Sequence, residues 1–228
     1  MILLQRYVYS TILILLILGN TSFAQVTDQV DSLSVKKSAI HISVDYGKLL
    51  EKPITDQSKW EFGAGFLFRD KYNFTAEYGY AQLLPNNVVN NGGYESTGTY
   101  WRAGVDYFMK PTLRAYLSVG LLYASSSFED QVVVKISSEI WENHDETYNR
   151  SGLRANWLEL VLNSEGPIFK KDEGILSTIY WGTKLRVKFF ISESETDRFD
   201  IYAVPGYGTR NSNINLAANL FLKFRFPL

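Results

Sequence analysis

NLFLKFRFPL, residues 219–228, is the stretch whose reading decides the fold. Leu220, Leu222, Phe224 and Phe226 alternate with Phe221, Lys223, Arg225 and Pro227. A period of two puts these sets on opposite faces of a β-strand. One face is apolar and the other carries cations, so the two faces must meet different media. We expect acyl chains on one side and a crowded polar interior on the other, with this closing strand pairing to the first.

Working backwards, the same alternation recurs in segments 39–47, 59–69, 72–82, 97–109, 114–124, 153–163, 174–190 and 213–228. In the first, Ile40, Ile42, Val44 and Tyr46 oppose His41, Ser43, Asp45 and Gly47. In 153–163, Leu158, Leu160 and Leu162 take the apolar face because the other face carries Glu159. Strands of about ten residues in an even number suit a small outer-membrane barrel. The expected fold is all-β, an eight-stranded antiparallel up-and-down transmembrane β-barrel over residues 38–228. The connections alternate in length. Those at 51–58, 83–95, 125–152 and 191–212 are long, whereas Asp70-Lys71 and Lys110-Pro111-Thr112 are tight. Long outer loops and short periplasmic turns give that rhythm. The sixth connection, 164–173, is longer than a turn and is expected to hold a hairpin extension. VVVKI with Trp141 in the longest connection suggests that strands five and six also run on beyond the membrane as a hairpin.

The N-terminus is read apart from the fold. Arg6 is the only charged side chain in residues 1–24, VYSTILILLIL follows it, and Ser22-Phe23-Ala24 offers small residues for cleavage. This is the pattern of a secretory signal peptide. Residues 25–37 are polar and unpatterned, and are expected to form a flexible periplasmic tail. Without Arg6, 22 of the 23 basic residues remain against 24 acidic ones, which gives no electrostatic basis for nucleic-acid binding. The absence of Cys removes disulfides, thiolate metal ligands and thiol nucleophiles. No GxGxxG or Walker pattern occurs, so no nucleotide or other cofactor is expected, and no metal.

Height along the strands sorts the aromatics. Tyr46, Trp60, Tyr80, Trp101 and Tyr123 fall near the upper rim of the apolar face; Phe68, Tyr72, Tyr107 and Phe226 fall near the lower rim. Between them lie Ala64, Ala76, Ala103, Val105 and Val119. Two aromatic girdles around a smaller aliphatic zone mark membrane interfaces. A soluble sandwich or lipocalin-like barrel would bury this face and would have no reason to sort aromatics by height. The opposite face carries Asp45, Glu61, Glu77, Asp106 and Glu159 against Arg69, Arg102, Lys184, Arg186, Lys188, Lys223 and Arg225. Eight strands enclose a space that side chains fill. Pairing of these charges into an interior plug is therefore expected, since an unpaired buried charge costs several kcal/mol. A proton or ion path, or a polar pocket at the outer mouth, is the other use such a face could have.

Two constellations resemble catalytic sets. His41, Ser43 and Asp45 share one face, yet same-face neighbours stand ~6.6–7 Å apart, beyond the ~2.6–3.2 Å that nucleophile and base require. In the longest connection, Glu142, His144, Asp145 and Glu146, with Ser137 and Ser138 nearby, form a possible loop site. Clustered carboxylates there would favour a hard divalent cation bridging lipopolysaccharide.

NWLELVL (156–162), YAVPGYG (202–208) and the closing FLKFRFPL together resemble an uncharacterised family of small outer-membrane β-barrels from Bacteroidota. That resemblance implies fold and location in a Gram-negative envelope, and no activity. The last strand also resembles the signal read by the outer-membrane assembly machinery, with Phe226 at the right parity. The expected partners are thus outer-membrane lipid, lipopolysaccharide and that machinery. The expected role is non-enzymatic: structural, or binding through extracellular loops. The alternative is a lipid A-modifying hydrolase or acyltransferase on the outer rim.

Overall fold

The structure is a computed structural model that describes residues 38–55, 57–85, 91–109, 116–136, 144–169, 175–196 and 199–228. The signal peptide and tail expected over 1–37 lie outside the described residues. The elements run β1 (Ala39–Asp45), α1 (Tyr46–Thr55), β2 (Lys59–Phe68), β3 (Tyr72–Leu83), β4 (Gly92–Met109), β5 (Tyr116–Ile136), β6 (His144–Pro167), a 3-10 turn (Ile175–Thr178), β7 (Ile179–Glu193), β8 (Ala203–Val204), β9 (Gly208–Thr209) and β10 (Ile214–Pro227).

Eight strands, β1 to β7 and β10, hydrogen-bond in a closed antiparallel ring, each beside its neighbours in sequence. β10 closes on β1 in the register Ile40 with Phe226, Ile42 with Phe224 and Val44 with Leu222. Leu228 N also donates to Ser38 O at 2.9 Å. The alternation of NLFLKFRFPL is explained by this seam. Phe221, Lys223 and Arg225 are buried, whereas Phe226 stands outside.

One end of the ring carries the connections β1–β2, β3–β4, β5–β6 and β7–β10, and is called the loop end here; the other is the turn end. Arg69 and Asp70 adopt positive φ in the β2–β3 turn, and Lys71 N closes it on Phe68 O at 3.0 Å. Arg69 is thereby exposed in the turn and is removed from the inward charge set.

Several expected boundaries are corrected. Tyr46 begins helix α1, so it is not an aromatic on a strand. β4 runs well past its expected end at the loop end, while β5 and β6 extend together as the VVVKI reading expected, with Ile136 paired to His144. Much of the expected 83–95 and 125–152 connections is therefore sheet. At the turn end, β6 reaches Pro167, paired with Tyr180. The described part of that connection holds the 3-10 turn in place of a hairpin, and Ile175 belongs to this turn, not to β7. The expected 191–212 loop contains the small β8–β9 pair.

The apolar core lies at the loop end. Ile201, Ala203, Val204 and Tyr207 of the β8–β9 segment pack with Tyr94, Tyr100, Phe128, Val132, Leu153 and Trp157 of the ring strands. A second, smaller cluster at the turn end joins Ala39, Leu67 and Phe108, with Tyr116 against it.

Candidate functional site: a capped polar interior

Between these two apolar clusters the ring is filled by charge. β2 supplies Glu61, β3 Glu77, β4 Arg102, β6 Glu159 and β7 Arg186, each at an inward parity and each buried. Arg102 reaches Glu61 at 2.6 Å through Nη1, Glu159 at 2.8 Å through Nε, and Glu77 at 3.4 Å. Arg186 reaches Glu159 at 2.7 Å and Glu77 at 2.8 Å, and its Nε donates to Asn219 Oδ1 at 2.8 Å. Trp157 Nε1 donates to Glu159 Oε1 at 2.6 Å. Lys184 pairs with Glu77 at 2.5 Å. Lys48, from α1, folds over the mouth to pair with Glu61 and donates to Tyr100 Oη at 2.8 Å. Charges taken out of water must be matched by partners of good geometry, and multiple contacts per carboxylate achieve that here.

The β8–β9 segment caps this network with its backbone. Arg102 Nη2 donates to Gly206 O at 3.0 Å; Lys188 Nζ donates to Gly206 O at 2.7 Å and to Tyr207 O at 2.9 Å. Gly206 lies against the Tyr100 ring at φ 82°, a conformation that favours glycine. Further out, Asp130 accepts from Arg150 at 2.8 and 2.5 Å and from Tyr94 Oη at 2.7 Å, while Arg150 also holds the carbonyls of Phe199 and Asp200. The Asp130 hydrogen bonds raise the Arg150 guanidinium above its ordinary value. Burial, then the neighbouring Asp130, pushes the Tyr94 phenol up.

Toward the turn end a second group forms. Lys223 and Arg225 both donate to Glu165. Asp106 accepts from Asn73 at 2.9 Å and Thr75 at 3.2 Å, and Asn73 Oδ1 contacts His41 Nε2 at 2.7 Å. His41 thus faces Asn73, whereas Asp45 accepts from Asn219 at 2.5 Å, so the two do not form a catalytic pair.

Of the residues expected on the inward face, Glu61, Glu77, Arg102, Glu159, Lys184 and Arg186 meet in one network. Lys188 joins it through the cap; Asp106, Lys223 and Arg225 belong to the turn-end group. The sequence reading missed Glu165, although it continues the parity of Glu159 and Asn163. It also missed Lys48 and the cap, for which the linear pattern carried no signal. Among the expected girdle aromatics, Trp60 stacks on Tyr80 at 6.2 Å, Trp101 contacts Tyr123 at 5.7 Å, and Tyr72 contacts Tyr107 edge-on at 5.6 Å. Phe68 lies 6.2 Å from Phe66, and Phe226 pairs across the seam with Ile40. In the possible loop site, Asp145 and Glu146 are exposed on β6 and His144 is its first residue, while Glu142, Ser137 and Ser138 lie outside the described residues. Among the described residues no three His, Cys, Asp or Glu converge as a metal site.

The match to a family model is nearly end to end, over residues 4–228. The chain belongs to the family described as Domain of unknown function (DUF6048). No curated protein matches it. The family description gives no activity, so any functional reading must come from the arrangement itself.

Proposed function

We propose that this member of the family is an integral outer-membrane β-barrel with a filled, charged lumen, acting as a structural protein or binding a partner through its long loop-end connections. The observation that carries this reading is the inversion of the ring. Phe62, Phe74, Leu121 and Leu185 stand outside at 55, 51, 58 and 49% exposure, while Glu159 and Arg186 are buried. Soluble monomers rarely expose more than a few hundred Å² of contiguous apolar surface, and here outward-facing apolar residues occur on all eight ring strands. The aromatic levels fit too. Tyr72 and Tyr80 are eight residues apart on β3, ~26 Å along a strand, or about 20 Å along the axis at a tilt of ~40°, near the ~25 Å apolar band of such barrels. The signal-peptide pattern provides the route.

The direct test is cell fractionation with gel mobility before and after boiling. A heat-modifiable band in the outer-membrane fraction is the expected result; a soluble periplasmic protein without a mobility shift would sink the proposal. Leu121→Arg separates the media energetically. Leu121 lies between Leu117 and Tyr123 on the outward face of β5. In a bilayer the arginine should cost ~2–4 kcal/mol of folding stability, whereas an exposed site in water should move within about 0.5 kcal/mol. Urea titration of the purified protein refolded into lipid vesicles reads the difference.

A further inference from the structure

We infer that Phe221 is a septum dividing two hydrated compartments inside the ring, and that its side chain is what blocks water and protons from passing between them. The inference rests on the membrane reading above.

On the loop-end side lies a water-sized cavity lined by Ser43, Asp45, Glu61, Glu77, Lys184 and Asn219, with Phe221 itself forming part of its wall. A cavity of this size with several polar partners suits an ordered water. On the turn-end side, four buried polar atoms lack a partner among the described residues: His41 Nδ1, Ser118 Oγ, Asn163 Oδ1 and Arg225 Nε. Buried polar groups are almost always satisfied, and water is the usual partner when protein is not. The first side thus has room for a water among polar groups, and the second has buried atoms that call for one.

Between them, Phe221 is 2% exposed. Two ammonium groups sit within cation–π range of the same ring, Lys184 at 4.9 Å and Lys223 at 5.2 Å. The first is tied to Glu77 and the second to Glu165, so each belongs to a different charged group. Gly182, the β7 partner of Phe221 in register, makes room for the ring: a Cβ there would lie 2.6 Å from Phe221 Cζ. Each group also touches solvent. Lys184 keeps 11% of its side chain exposed and Arg225 keeps 9%. An apolar constriction between wet regions blocks passage by excluding water. Trimming the ring to a methyl group would free room for about three waters at ~30 Å³ each.

The test is proton leak into vesicles holding a pH-sensitive dye, loaded with the refolded full chain or with Phe221→Leu, Phe221→Val or Phe221→Ala. The wild type should be as tight as empty vesicles. Leak should rise in the order of shrinking side chain, reaching about tenfold for Phe221→Ala, as expected when a dewetted constriction opens. The mild end of the series keeps the test valid if Phe221→Ala does not fold. A flat series with heat-modifiable, vesicle-bound protein would overturn the septum alone, as would a leaky wild type. Failure of the wild type to enter vesicles would overturn the membrane reading and this inference with it.

Discussion

Glu159→Ala should lower the stability of the ring by ~3–5 kcal/mol, the cost of breaking a buried ion pair by removing one partner. The reason lies in the local count of charges. Glu159 is one of four carboxylates, with Asp45, Glu61 and Glu77, that face Arg102, Arg186, Lys48, Lys184 and Lys188 in the central network. It is fully buried and accepts from three donors, Arg102, Arg186 and Trp157. Its loss leaves three carboxylates among five cations in a buried space. At ~2 kcal/mol per molar of urea, a loss of ~4 kcal/mol should move the unfolding midpoint down by about 2 M. Glu159→Gln keeps the shape and an acceptor, so it should fall between. Glu146→Ala, at an exposed position on β6, should stay within about 0.5 kcal/mol of the wild type. Tryptophan emission reports the transition, because Trp157 is fully buried in the folded ring. A midpoint for Glu159→Ala equal to that of the Glu146 control would mean that the central charges are not coupled as drawn.

How legible this arrangement was in the sequence depended on how local its cause is. Alternation is a local signal, and it located all eight ring strands because each has one apolar face. β10 is the clearest case, since Leu220 to Phe226 is uninterrupted. Where polarity is uniform the signal fades. Ser125, Ser126 and Ser127 interrupt the alternation in β5, so its run to Ile136 was legible only from VVVKI beyond them, as an extension of strands five and six. At Tyr46-Gly47 the alternation carried on in form although the chain had turned into α1, which kept Lys48 from being read as a partner of Glu61. The inward charges were legible as a set, because parity alone puts them on one face. Their partners were not, because Arg102 and Glu159 are brought together by ring closure and not by spacing. The cap was least visible. β8 and β9 are two residues each, too short for any period, and the burial of Val204 and Tyr207 is a property of what surrounds them.

That cap supplies the second large effect. Gly206→Val should lift the β8–β9 segment out of the ring. Two penalties coincide at this residue. At φ 82° a β-branched side chain is strained, by ~1–2 kcal/mol. A Cβ would also lie 2.4 Å from Cγ of the Tyr100 ring, and overpacking a tight site costs a further ~1–3 kcal/mol. Tyr100 cannot step aside easily, since its hydroxyl is held by Glu61 at 2.7 Å and by Lys48 at 2.8 Å. Once the segment lifts, Lys188 loses both carbonyl acceptors and Trp157 loses its edge-on contact with Tyr207 at 5.8 Å. Limited trypsin digestion at Arg210 reads the lifted population, because cleavage tracks the open fraction when opening is fast. A penalty of ~3 kcal/mol corresponds to about a hundredfold faster cut, with the ring fragment surviving. Gly152→Val is the matched control. Gly152 has φ 73° but open space where its Cβ would go, so it carries the backbone strain without the clash and should leave cleavage at Arg210 unchanged. If Gly206→Val resists trypsin as well as the wild type does, the segment is not seated against Tyr100, and the loop end is closed by something else.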